Sequence, residues 1–392
     1  MNKIIYKIYV HENDVEIVIR IQNEKHRVIE LYKERIQDES DNFIADEVVL
    51  SDGKEINHYK MSTEHDIDIV IPSYNKRNIE IKYSLPKESY IGQRGKCISR
   101  FSKDYFYLFS ETHLFFLKDI VMPCVLIIHG EKYEKVFQFA SSEEIKGICL
   151  AGGKNAEEER KENVWVSMIN KPSLNMKSLD VIELFNTIER MMGMVPYGKQ
   201  IRINIIRDSI IHGGFSGNYS LISEDKKEVL FHELLHIWIG NEINFSDDSD
   251  PYKEALTEYI SLKLLYSLGY LSAEEIKKTF GDKYNCYLKS GGSISETFLA
   301  DKKMSYDMDC CTSIYDGMPC YFLLIEIELN TLGFSIYSLI ERLKEIKEVQ
   351  RDQIVIILRE LTEEEENIYN RINEKTHLKP EDIIKSASVI FS

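Results

Sequence analysis

The residues best suited to chemistry lie in Val229-Leu230-Phe231-His232-Glu233-Leu234-Leu235-His236-Ile237-Trp238. His232 and His236 are four apart, so on a helix both imidazoles leave the same face and can serve one ion. Glu233 follows the first histidine, a position from which a carboxylate reaches a water at the ion rather than the ion itself. A catalytic zinc site needs a third protein ligand and one open position, whereas a structural site is closed. The third ligand is expected from Asp250-Pro251-Tyr252-Lys253-Glu254, where Asp250 suits a helix N-cap, Pro251 suits the first turn, and Glu254 sits one turn in. The expected cofactor is therefore one Zn2+ per chain, held by His232, His236 and Glu254, with Glu233 as the base. Glu258, one turn further, is placed to accept the free N–H of a ligand histidine, or else faces solvent. His212, beside Gly213-Gly214, either lines the cleft or is an ordinary turn histidine.

These residues require two well-formed helices. Phe231, Leu234, Leu235 and Trp238 bury the remaining sides of the first. Ser223 can cap it, Glu224 and Asp225 suit its positive end, and Gly240 can stop it. The apolar positions of the second include Ala255, Leu256, Tyr259, Ile260, Leu262, Leu264 and Leu265. Further helices are expected near 273–289, 319–331 and 334–349. Glu363-Glu364-Glu365-Glu366 reads as a solvated helix start. The first 165 residues read differently. Val15–Ile21, Asp66–Ile71 and Asn78–Tyr83 alternate with period two, and His113–Leu117 and Val125–Ile128 are apolar enough for buried strands. This predicts an α+β chain with an antiparallel β-rich domain over 1–165 and a mainly helical domain over 166–392. The charged stretch Glu157–Glu162 reads as an exposed boundary.

Among 392 residues, 49 Lys and Arg stand against 65 Asp and Glu, a formal net charge of −16. That excess of acid opposes a phosphate-binding surface, so nucleic acid is not an expected partner. The 43% hydrophobic content suits a large buried core and excludes a disordered chain. Seven cysteines without CxxC spacing argue against a disulfide framework or a thiolate zinc cluster. No apolar run reaches the roughly 18 residues of a membrane span, and charge follows too soon after the N-terminus for a secretory signal. The expected setting is the cytoplasm, without membrane insertion, and the composition leaves the oligomeric state open.

His232-Glu233-Leu234-Leu235-His236-Ile237-Trp238-Ile239-Gly240-Asn241 resembles the zinc-binding segment of the aminopeptidase N-like gluzincin metallopeptidases, HExxH followed by x-W-x-G-N. Glu254 follows a gap of 17 residues (237 to 253), one shorter than the family spacing. The family's Asn-Glu-Gly-x-x-x-Tyr around the third ligand appears as Lys253-Glu254-Ala255-Leu256-Thr257-Glu258-Tyr259. The resemblance covers about residues 176 to 350 and implies a thermolysin-like catalytic domain behind a β-rich N-terminal domain. It also implies an oxyanion donor at Tyr315, in Ser313-Ile314-Tyr315-Asp316-Gly317, with its glycine one residue closer than in the family. The family's substrate-binding Gly-x-Met-Glu-Asn strand corresponds to Gly214, Phe215, Ser216, Gly217 and Asn218. Its amine-holding glutamate is Gly217 here, which removes the charge that anchors a free N-terminus. The implied function is zinc-dependent peptide-bond hydrolysis of a peptide or polypeptide substrate, by an aminopeptidase or a peptide-processing protease. A non-catalytic zinc-fold module that binds peptides or a protein is the rival, and the presence of Glu233 weighs against it.

Overall fold

Period-two alternation organises the first part of the chain. Val15, Ile17, Ile19 and Ile21 on Asp14–Gln22 are fully buried, as are Ile79, Ile81, Tyr83 and Leu85 or nearly so on Asn78–Pro86. Successive side chains of a strand leave opposite faces, so each strand gives one face to the core. The computed structural model describes residues 2–22, 28–33, 49–51, 60–62, 67–72, 78–91, 96–174, 176–196, 198–211, 213–290, 312–362 and 378–392. It is α+β, rich in strands first and in helices afterwards. The chain divides into two compact units, Met1–Leu184 with Gly198–Glu233, and Phe185–Tyr197 with Leu234–Ser392.

The first unit contains a six-stranded sheet whose spatial order is Glu134–Phe139, Cys124–His129, Lys3–Val10, Asp14–Gln22, Asn78–Pro86, Val49–Ser51. It is not purely antiparallel as expected, because Lys3–Val10 runs parallel to Cys124–His129. A parallel neighbour needs a long return path, here residues 11–123. The expected strand over His113–Leu117 is reduced to Phe116–Leu117. Ser110–His113 instead forms a short helix, α1, in which the Thr112 hydroxyl donates to the Phe109 carbonyl at 2.7 Å. Such local side-chain bonds compete with a strand ladder. Cys97, Cys124, Cys149, Cys286 and Cys320 are free thiols; Cys310, Cys311 and Glu363–Glu366 lie outside the described residues.

A five-stranded sheet of the same unit runs Glu157–Lys161, Val164–Ile169, Ile201–Ile206, Ser220–Glu224, Gly214–Gly217. The charged stretch read as a boundary is its first edge, exposed at all five positions, and charge there discourages pairing with another sheet. Ile201–Ile206 lies between two parallel neighbours and is buried throughout. Its Asn204 amide donates to the Leu221 carbonyl at 2.8 Å, and its Arg202 guanidinium stacks over Trp165 at 4.9 Å. Gly214–Gly217 is the opposite edge. It forms a hairpin with Ser220–Glu224 through Asn218 and Tyr219, both at positive φ (40° and 61°), as a tight hairpin turn requires.

The remaining helices are α2 (Ser178–Met192), α3 (Lys227–Leu235), α4 (Asp250–Ser267), α5 (Ala273–Lys289), α6 (Met318–Thr331), α7 (Ile336–Leu343), α8 (Arg351–Thr362) and α9 (Pro380–Ile390). In the second unit, Tyr259 of α4 packs against Phe280 of α5 and Phe322 of α6, with ring centroids 6.0 and 6.3 Å apart. Trp238 is fully buried, its ring 5.1 Å from Phe185 and its indole N–H donating to the Met194 carbonyl at 2.9 Å. Trp238→Ala removes this packing and leaves the carbonyl without its donor. We expect a loss of about 3–5 kcal/mol, read as a fall in the denaturation midpoint of the helical circular-dichroism signal.

Candidate active site

The helix carrying the paired histidines begins later than its cap signals suggest. Ser223 and Glu224 belong to the strand Ser220–Glu224, and Ser223 donates to the Glu224 carbonyl at 2.8 Å instead of capping a helix. The Asp225 carboxylate accepts from the Ser173 amide and hydroxyl at 2.7 and 2.6 Å. Helix α3 therefore starts at Lys227 and ends at Leu235. The chain then tightens, with Ile237 and Trp238 amides donating to carbonyls three residues back at 3.1 and 2.9 Å. Gly240, at φ +130°, turns the backbone away, as its position after the helix foretold.

That turn delivers the Ile239 carbonyl to His236 Nδ1 at 3.0 Å. A carbonyl accepts only from N–H, so the proton sits on Nδ1 and Nε2 carries the lone pair. His236 Nε2 lies 3.4 Å from Glu254 Oε2 on α4. Ligands at about 2.0–2.1 Å from a tetrahedral zinc stand about 3.3–3.4 Å apart, so this pair already has the spacing of two corners. His232, His236 and Glu254 each offer one donor atom, and all three atoms lie within 4.8 Å of one another. Two imidazole nitrogens and a carboxylate oxygen form the donor set of a three-ligand zinc site with one open position. The residues present fit the ion.

The two oxygens of Glu254 have different neighbours. Oε2 faces His236 and accepts from the Tyr315 hydroxyl at 2.9 Å, while Oε1 faces the Lys253 ammonium at 3.5 Å. Lys253 also pairs with Asp250 at 2.7 Å. Burial works against charge on Lys253, yet Glu254 and Asp250 outweigh it and hold its pKa above the ordinary lysine value. Sequence reading passed over Lys253, although a lysine directly before a ligand and three after an aspartate was a visible signal.

Tyr315 lies in a single π-helical turn, Ser313–Gly317, that leads into α6. A Cβ on Gly317 would stand 2.7 Å from the Tyr287 ring, so the glycine lets that ring pack against the turn. Lys283 of α5 donates to the Tyr315 carbonyl at 2.9 Å and pairs with Glu258 at 2.8 Å and Asp316 at 3.6 Å. Burial disfavours its charge, but Glu258 outweighs that and raises its pKa. Lys283 thus ties the tyrosine turn to the helix bearing Glu254, a long-range link with no local sequence signal. Glu258 pairs with Lys283, and the Nδ1 proton of His236 goes to the Ile239 carbonyl.

The strand Gly214–Gly217 presents two faces. Phe215 packs on Phe109, with centroids 4.4 Å apart, and a Cβ on Gly217 would come within 2.4 Å of the Gly147 carbonyl oxygen. On the other face, a Cβ on Gly214 would fall 2.2–2.5 Å from Glu233 Cγ, Cδ and Oε1, and the Ser216 hydroxyl donates to Glu233 Oε2. Asn218 sits in the turn, its amide donating to the Lys146 carbonyl. His212 lies outside the described residues. Lys253→Met should leave the fold intact and weaken zinc binding about tenfold or more, the usual scale for removing a group that orients a ligand. Competition with a chromophoric chelator measures this directly.

No protein-family model and no curated protein matches the sequence. Structural comparison does find similar folds. An aminopeptidase N family protein from Idiomarina loihiensis superimposes with a TM-score of 0.67 at 11% identity, over 98% of this chain and 75% of that one. The M1 zinc metallopeptidase from Deinococcus radiodurans gives 0.52 at 12% identity, over 96% and 94%. Yeast LTA4 hydrolase gives 0.53 at 13% identity, over 95% of this chain and 66% of its own length. At such identities the likeness is one of fold: the chain is folded like the gluzincin zinc metallopeptidases.

Proposed function

We propose that the chain is a zinc-dependent peptidase, with a thermolysin-like catalytic portion over residues 166–392 behind the β-rich residues 1–165. The observation that carries this reading is the buried Glu233 carboxylate, clasped by an edge strand and one residue from a donor of a three-ligand set. A site built only to bind an ion or a peptide has no use for a base there. Zinc held by His232, His236 and Glu254 supplies Lewis-acid activation of a water and of a scissile carbonyl.

The chain's own groups do the rest. Glu233 takes a proton from the attacking water and passes it to the leaving amine, which departs neutral. The Tyr315 hydroxyl, which donates to Glu254 Oε2 at 2.9 Å, exchanges that acceptor for the substrate oxygen as negative charge develops there. One such donor is typically worth about 2.7–4 kcal/mol of barrier. The edge strand Gly214–Gly217 offers its outer backbone groups to an extended peptide.

The glutamate that anchors a free N-terminus in the related peptidases has no counterpart at 217, and the Gly147 carbonyl fills the space its side chain needs. This favours hydrolysis of longer or blocked peptides over strict removal of single residues. Glu233→Gln should bind zinc stoichiometrically yet lose nearly all turnover; wild-type rates from that variant would overturn the mechanism. Peptides with free and Nα-acetylated termini should be cleaved at rates within a few-fold, followed by mass spectrometry of the products. Abolition by acetylation would instead establish an aminopeptidase.

A further inference from the structure

We propose that Ser216 is a positioning residue for the catalytic base, an inference that rests on the peptidase reading above. Period two along Gly214–Gly217 turns positions 214 and 216 to the same face, the one that meets Glu233. At 214 the absence of a Cβ lets the strand backbone press against Glu233 Cγ, Cδ and Oε1. At 216 the hydroxyl donates to Oε2 and also lies 3.2 Å from the Glu233 backbone carbonyl. A glutamate carboxylate has three rotatable bonds between it and the backbone. Here the strand blocks one side of its arc and a hydroxyl holds one oxygen.

The two oxygens are thereby separated in role. Oε2 is taken by Ser216, and Oε1 accepts no hydrogen bond from any described residue and is left to receive a proton. The family strand resembled by this segment carries methionine at the matching place, which has no such donor. The serine is therefore a feature of this chain. It supplies a charge-assisted hydrogen bond from the same strand that is suited to line the substrate.

The test compares Ser216→Ala, Ser216→Thr and the wild type by zinc content, by kcat and KM separately, and by crystal structure. Ser216→Ala should keep full zinc and a KM within about twofold while kcat falls about tenfold or more. Ser216→Thr, which keeps the hydroxyl and suits a strand, should recover most of the rate. An unchanged kcat, or a loss confined to KM, overturns the proposal. If the wild type cleaves nothing, the peptidase reading fails, and the crystal structures then judge the positioning claim by themselves. In Ser216→Ala the Glu233 carboxylate should shift or spread over several rotamers while His232 stays in place; an unmoved carboxylate overturns the claim. Should Ser216→Ala not fold, Ser216→Cys, a weaker donor of similar size, carries the same comparison.

Discussion

Glu254 can complete a donor set only if its charge is balanced and one oxygen is turned toward the imidazole, and the arrangement around it depends on that constraint. Asp250, Glu254, Glu258 and Asp316 gather close to the two ammonium groups of Lys253 and Lys283. Four carboxylates against two lysines leave an excess of acid, a setting that suits a cation. Crowding acids in this way is unfavourable without counter-charge, because like charges within a few ångströms repel more strongly away from bulk water. The lysines solve this geometrically. Lys253 takes Oε1 of Glu254 and leaves Oε2 for His236, and Lys283 draws Glu258 and Asp316 together under the tyrosine turn.

A second constraint concerns backbone proximity. The strand Gly214–Gly217 meets Glu233 on one face and the Gly147 carbonyl on the other, and each contact is closer than a side chain permits. Glycine is needed at 214 and 217 because of what lies opposite, not because of a turn. The cost in strand propensity is offset by pairing with Ser220–Glu224 and by the Phe215–Phe109 contact. Gly214 brings the strand up to Glu233, and Gly217 brings it up to the Gly147 carbonyl.

Much of this was legible in the sequence, for reasons that are local. The four-residue spacing of His232 and His236, the Pro251 in the first turn of α4 and the period-two strands each depend on neighbours within a turn or two, although Asp250 is the first helical residue, paired with Lys253, rather than the cap expected of it. The placement of Glu254 beside His236 followed from these, aided by resemblance to a known pattern. Apart from Lys253, what escaped reading depends on residues distant in sequence. Ser216 meets Glu233 across 17 positions, Lys283 meets Tyr315 across 32, and Gly147 fills the space beside Gly217. The Ser223 cap failed because strand pairing with Gly214 claimed the residue first. Likewise the Thr112 hydroxyl of Ser110–His113 found the local Phe109 carbonyl, and the segment coiled.

Irregular backbone is concentrated where the chemistry is placed, and the end of α3 shows why. In a regular α-helix the Ile239 carbonyl would point along the axis and accept from residue 243. It would then be unavailable to the imidazole of His236. Instead the chain tightens after Leu235 and reverses at Gly240, and the Ile243 amide donates to the Trp238 carbonyl at 2.8 Å. The Ile239 carbonyl is released and accepts the Nδ1 proton of His236, which sets the tautomer whose Nε2 faces Glu254. The π turn at Ser313–Gly317 acts similarly, rotating the Tyr315 hydroxyl onto Glu254 while its carbonyl meets Lys283. A longer, more regular helix at either place would pack as well, but it would present the wrong atoms. The departures from regular helix therefore belong to the candidate site, since they decide which lone pairs and protons meet around His236 and Glu254.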